Sequence, residues 1–147
     1  MNLRQVVIER GLAPGDRGSL TRTFTSDDVL SFARITGDMN PYHCSRRFAE
    51  ASRFRQPIAH GLLVGGMLTE IGGQWAWLAT GMNFNFLAPV FPGDTITLEL
   101  EVVSQDEHGL TVAEGRWTNQ EGVVVITGGL SGYPPTPEQR KLMGEEV

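Results

Sequence analysis

The chain has a single cysteine, Cys44, so no disulfide can close within it, and a lone thiol fits a reducing compartment. Positive charge is also scarce. Twelve Lys and Arg stand against 17 Asp and Glu, for a net charge of -5 and a pI near 5.1. With no global basic field to draw a phosphate backbone, nucleic acid is set aside as a partner. Met1 to Arg10 lacks the charged start, apolar stretch and small-residue cleavage site of a secretory signal, and the expected compartment is the cytoplasm. There is no internal repeat and no low-complexity tract.

Long apolar runs are nearly missing too. Only Ile58 to Ala79 approaches the length of a bilayer span, and it contains His60, Thr69, Glu70, Gln74 and paired glycines. A carboxylate near the middle of a span costs roughly 2.5–3.5 kcal/mol. The segment reads as a helix buried in a soluble fold, with no membrane partner. Gly61-x-x-x-Gly65-Gly66 matches neither the dinucleotide nor the P-loop glycine spacing, so no nucleotide or redox cofactor is implied.

What is present is 147 residues, 40% hydrophobic and 20% charged, enough for one domain over 1–147 with a core at about 19–132. Residues 3–17 read as a loop-rich lead-in, and Ser19 to Phe24 as a short strand. Ser26 reads as an N-cap, with Asp27 and Asp28 in the first turn and Val29, Leu30, Phe32, Ala33 and Ile35 as the apolar face. Gly37 is placed to end that helix. Arg46 to Ala51 gives a short helix, and Gly61 to Leu78 a long one, apolar on nearly every side and therefore surrounded.

The second half alternates. Met82, Phe84 and Phe86 take every second position, and Ala88 to Asp94 forms a loop. In Thr95 to Val103, Ile96, Leu98, Leu100 and Val102 alternate with Thr97, Glu99 and Glu101, a half-buried strand. His108-Gly109 marks a turn, and 110–118 and 123–130 give two more strands. Residues 133–147 form a polar, proline-containing tail with little to pack. The pattern predicts an α+β fold, an antiparallel sheet wrapped around a long central helix.

The chemistry concentrates in Gly37-Asp38-Met39-Asn40-Pro41-Tyr42-His43 and Pro57-Ile58-Ala59-His60-Gly61. A carboxylate and an imidazole stand five residues apart across a proline-stiffened turn, and a glycine then opens the apolar helix. These are parts that hold a water molecule on one side and polarise a carbonyl on the other, as water addition to an activated double bond requires. Asp38, His43 and His60 also formally make a carboxylate and two-histidine set, but nothing in the spacing requires a metal and none is assigned. Cys44 adjoins His43, and neighbouring side chains point apart, which disfavours a Cys–His dyad.

The chain resembles the MaoC-like, (R)-specific enoyl-CoA hydratases of the hotdog fold. The resemblance lies in Gly37-Asp38-x-Asn40-Pro41-x-His43, Phe48-Ala49, Phe54, Pro57-Ile58-Ala59-His60-Gly61 and Phe86-x-x-Pro89-Val90-x-x-Gly93-Asp94-Thr95, within about residues 20–130. It implies a hotdog fold, a homodimer, and an acyl thioester of coenzyme A or of acyl carrier protein as substrate, with no further cofactor. It also implies that Asp38 and His43 are the catalytic acid–base pair. The Gly61 backbone N–H, at a helix start, becomes the donor to the thioester oxygen. Ser45 stands where many relatives carry an acid, and Thr69 falls near a recurring serine. Gly65 and Gly66 occupy the small positions before it.

Beside that pair, Asn40 braces the turn or bonds a catalytic neighbour, His60 anchors the helix start, and Thr69 is a hydroxyl inside the helix that, with Asn40, is a candidate substrate contact. Trp75 and Trp77 read as core or dimer packing. Arg46, Arg47, Arg53 and Arg55 are a local basic cluster, read either as a solvated face or as a grip for coenzyme A phosphates or an acidic carrier. The expected activity is that of a reversible enoyl-thioester hydratase or 3-hydroxyacyl-thioester dehydratase. The alternatives are a hotdog thioesterase and a non-catalytic acyl-binding subunit of a heteromer.

Overall fold

Alternation in the second half builds one antiparallel sheet. The computed structural model describes residues 2–145. Its strands are β1 (Arg17–Thr23), β2 (Leu78–Phe86), β3 (Thr95–Gln105), β4 (Thr111–Thr118) and β5 (Val124–Tyr133), in the order β1-β3-β4-β5-β2. Ile96, Leu98, Leu100 and Val102 of β3 are almost wholly buried, while Glu99 faces out.

The registers line up whole rows of side chains. Leu20, Leu98, Trp117, Ile126 and Phe86 are successive cross-strand partners through all five strands. The next row is Gly18, Leu100, Gly115, Gly128 and Phe84, where three glycines leave room above the sheet. Trp75 fills part of it, since a Cβ on Gly18 would lie 3.0 Å from its ring.

The sheet carries the central helix, made of α5 (Gly61–Gly65) and α6 (Met67–Gln74), whose Val64, Met67, Leu68 and Ile71 are buried. The expected continuous helix from Gly61 to Leu78 is corrected in two places. At Gly66 it breaks, because the Trp117 indole N–H donates to the Val64 carbonyl at 3.1 Å and Thr69 N bonds back to Gly66 O. It then ends at Gln74, with Ala76 left-handed (φ 51°), and Leu78 opens β2.

Other helices pack around the sheet and central helix, and Val7, Val29 and Met143 join the same core. The lead-in expected as loop forms α1 (Leu3–Arg10), capped by Asn2, with Val7 fully buried. The tail expected to pack little forms α7 (Pro137–Glu145) against α1, with Met143 buried and Arg140 reaching the Ile8 carbonyl. Between them run α2 (Ser26–Thr36), α3 (Pro41–Cys44) and α4 (Arg46–Ala51). The N-cap of α2 is Thr25, not Ser26. Its hydroxyl accepts from Asp28 N while the Asp28 carboxylate accepts from Thr25 N. Leu30 and Ile35, expected on the buried face of α2, are exposed, and Val29 and Ala33 do the packing. Among the described residues no helix is long and apolar enough to cross a membrane.

Candidate active site

The turn after α2 is built by local hydrogen bonds. Gly37 adopts a left-handed conformation (φ 77°) and returns its N–H to the Ala33 carbonyl, closing the helix. Thr36 Oγ1 donates to the Phe32 carbonyl and accepts from Asp38 N. Asp38 Oδ1 then accepts from Asn40 N at 3.2 Å, and Asn40 Oδ1 from Tyr42 N at 3.1 Å. Asn40 is thus the N-cap of α3, with Pro41 preset at its first position. That one-turn helix delivers His43 beside Asp38.

Two histidines meet there. His43 Nδ1 lies 2.7 Å from the Ile58 carbonyl, which only accepts, so this nitrogen carries the proton and Nε2 presents a lone pair. His60 is buried, and its Nε2 donates to the Asp38 backbone carbonyl at 3.0 Å, 4.0 Å from Asp38 Oδ2. The rings lie 3.9 Å apart between centroids, and Phe32 packs on His60 at 4.8 Å. Burial, more than any other cause, pushes the His43 imidazole below its ordinary value. The Ile58 carbonyl opposes this, neighbouring His60 adds to it, and Asp38 opposes it. His43 is accordingly neutral near pH 7, the form that accepts a proton.

A cavity of about 290 Å³ opens beside the pair, bordered by His43, Arg53, Phe54, Gly61, Phe86 and Val90 among others. Gly61 is the first residue of α5, so its N–H has no partner within the helix. A Cβ there would lie 2.6 Å from the Phe86 ring. A larger depression of about 880 Å³ lies over the outer sheet face, bordered by Asn83, Glu99, Glu114 and Arg116. Asp38, His43 and His60 do not border it; His43 borders the smaller cavity, and Asp38 and His60 border neither.

The structure therefore brings Asp38, His43, His60 and Gly61 together, with ligand atoms of the first three within 4.8 Å of one another. Each histidine commits one nitrogen to a carbonyl and keeps the other free of that bond. Asn40 holds the turn and does not border the cavity. Thr69 is exposed, donates its hydroxyl to the Gly66 carbonyl at 2.6 Å, and does not border the cavity either. The Ile58 and Asp38 carbonyls, which fix the two histidine tautomers, escaped sequence reasoning because backbone groups leave no mark in residue identity. Phe86 against Gly61 escaped it as well, since only the fold brings β2 to the start of α5.

Comparison with known proteins fits this geometry. The profile of the MaoC-like domain matches residues 13–124. This chain belongs to the MaoC-like family. It is 30% identical over 124 residues to an (R)-specific enoyl-CoA hydratase of Aeromonas caviae, covering 81% of this chain and 92% of that one. A second (R)-specific enoyl-CoA hydratase, from Rhodospirillum rubrum, is 31% identical over 119 residues, covering 78% and 82%. A 3-hydroxybutyryl-CoA dehydratase of Methylorubrum extorquens is 40% identical over 88 residues, about half of each chain. The solved structure of the (R)-hydratase from A. caviae involved in PHA biosynthesis superposes with a TM-score of 0.80 at 30% identity, covering 86% of this chain and 99% of that one. The likeness to a MaoC-like hydratase thus runs through the sheet, the central helix and the turn that carries Asp38 and His43, the hotdog fold of the family.

Proposed function

We propose that this MaoC-like chain is an (R)-specific hydro-lyase that reversibly adds water to a trans-2-enoyl thioester. The observation that carries the reading is the open Nε2 of a neutral His43 at the edge of a cavity that also holds the Gly61 N–H, with the Asp38 carboxylate beside it. Water sits between Asp38 and His43. Its oxygen bonds to the β-carbon, one proton passes to the pair, and one proton is returned to the α-carbon. The carbon–carbon π electrons move through an enolate, whose negative oxygen accepts from Gly61 N–H. Dehydration is the same path reversed. Asn40 positions the pair by holding the turn, and Thr69, its hydroxyl already donated, takes no part.

No cofactor enters this reading beyond the coenzyme A or carrier protein borne by the substrate. The functional unit is a homodimer. The argument is the unpaired outer edge of β2, on which Leu78, Met82 and Phe86 are exposed, an open strand that a second copy would cover. A reducing, cytoplasmic setting goes with the single unpaired Cys44.

The test follows loss of enoyl-thioester absorbance with crotonyl-CoA, together with chiral analysis of the product. Wild type yields the (R)-3-hydroxy product, and Asp38→Asn and His43→Ala each lower kcat by about 10²-fold or more while melting like wild type. Release of free thiol instead would convert the reading to a thioesterase. Light scattering at the mass of one chain would remove the dimer.

A further inference from the structure

The water-addition route leaves one buried polar side chain beside the site unused. His60 is 1% exposed and borders neither cavity. Its Nε2–H donates to the Asp38 carbonyl, which leaves a lone pair on Nδ1, and Nδ1 is buried without a hydrogen-bond partner among the described residues. Hiding an unpaired polar atom costs about 1–3 kcal/mol. Nor does the ring cap α5, for although His60 is the N-cap residue, no helix N–H bonds to its side chain. An apolar side chain packed on Phe32 would serve fold stability better at this position.

What the ring reaches is the acid–base turn. Residues 37–41 otherwise bond to one another and to chain neighbours between Ala33 and Ser45. Among the described residues, the 3.0 Å bond from His60 Nε2 to the Asp38 carbonyl is the one hydrogen bond that fastens this stretch to another part of the fold. The Asp38 side chain is half-exposed, so packing does little to hold it. His43 lies against the same ring, with centroids 3.9 Å apart. The peptide that joins His60 to Gly61 carries the Gly61 N–H, and its carbonyl accepts from Val64 N at 3.2 Å. One residue is thus anchored in the helix start and tied to the carboxylate's own peptide.

We infer that His60 is a positioning residue whose Nε2–H holds the Asp38 peptide to the start of α5, and so fixes the Asp38 carboxylate against the His43 imidazole and the Gly61 N–H. The inference rests on the hydro-lyase reading above. Because His60 does not border the cavity, it acts on the reacting geometry and leaves substrate binding alone. A displacement of about 1 Å in a positioned group costs about 10²-fold in rate. The bond carries the role, so a side chain that offers an N–H at the same reach replaces histidine, and one that does not fails to.

The experiment compares wild type with His60→Gln, His60→Met and His60→Asn by crotonyl-CoA hydration, with a thermal melt of each. Glutamine places an amide N–H where histidine has Nε2. Methionine has the same reach without a donor, and asparagine has the donor one methylene short. In His60→Met and His60→Asn kcat falls by about 10²-fold with KM held, whereas in His60→Gln it stays within about tenfold of wild type. A second readout is independent of turnover. Amide exchange at Asn40 and Tyr42, whose N–H groups bond Asp38 Oδ1 and Asn40 Oδ1, quickens in His60→Met and His60→Asn and is restored in His60→Gln. Equal losses in all three variants, a wild-type kcat in His60→Met, or a loss carried by KM overturns the inference, and so does unchanged exchange. Should His60→Met fail to fold, His60→Gln against His60→Asn decides by the same criteria. If wild type hydrates nothing but exchange follows this pattern, the hydro-lyase reading fails and the positioning of the turn stands. If wild type hydrates and the variants match its kcat, the positioning fails and the hydro-lyase reading stands.

Discussion

The imidazoles of His43 and His60 face each other with centroids 3.9 Å apart and planes tilted by 31°, each tied through one nitrogen to a backbone carbonyl. Burial, helped by the imidazole of His60 at that separation, disfavours a positive charge on His43. His60 is fully buried, and its Nε2–H holds the peptide of Asp38. It is a positioning residue, linking the start of α5 to the residue that supplies the carboxylate.

The lowered titration of His43 has a sign that can be checked. Because the folded state holds this group below its ordinary value near 6.5, the unfolded chain binds more protons in the window beneath 6.5. The stability it contributes is complete above about 6.5 and is lost as pH falls through the folded value. Thermal melts of wild type and His43→Asn, taken from about pH 7.5 to about pH 5.5, should therefore diverge, with wild type losing more. The acid limb of kcat/KM lies below about 6.5 for the same reason. Parallel melting curves would show that protonation of His43 does not oppose folding.

Gly61→Ala separates two roles of one position. The added methyl would lie 2.6 Å from Phe86 Cε1, and Phe86 is more than half exposed, so its ring can swing away at small cost in stability. The methyl would still crowd the N–H proposed to donate to the thioester oxygen, and kcat should fall by about 10²–10³-fold. Gly61→Ala/Phe86→Ala relieves the collision and should leave kcat low. Full recovery of kcat in the double variant would assign the defect to Phe86 and remove Gly61 N–H from the chemistry.

The sheet and the acid–base turn were legible because their causes are local. Alternation in 95–103 and the cap, proline and glycine spacing around Asp38 act within a few residues, and the structure keeps them. The break at Gly66 was not legible, since it depends on Trp117, fifty-three residues away, offering an indole N–H to Val64. Leu30 and Ile35 fit a helical apolar face by spacing, but α2 buries only the narrow strip of Val29 and Ala33. The start of α7, by contrast, has a local cause. Thr136 and Gln139 make a reciprocal capping box around Pro137, a signal present in the sequence.

Trp117→Phe should destabilise the protein beyond what its ring volume explains. The indole is fully buried, and its N–H satisfies the Val64 carbonyl at the helix break. Phenylalanine keeps most of the contact with Phe84 but leaves a buried acceptor without its donor, a cost of about 1–3 kcal/mol. Urea unfolding measures it. A loss well under about 0.5 kcal/mol would mean that the helix heals across Gly66 once the indole is gone.

Ala76→Gly should move stability the other way. Ala76 sits at φ 51°, where its N–H bonds the Gly73 carbonyl and Trp77 N bonds Gly72 O, the paired closure that ends a helix on a left-handed residue. Glycine is the residue suited to that position, because a Cβ there costs roughly 1–2 kcal/mol. Part of the gain is offset by the freer unfolded chain, which leaves about 0.5–1 kcal/mol of net stabilisation. Ala76 is exposed, so no packing is lost. Thermal unfolding should shift upward by about 2–4 °C. A downward shift would mean that the surrounding bonds, rather than the residue's own conformational preference, set the backbone between Trp75 and Trp77, and that the alanine stiffens the chain leading into β2.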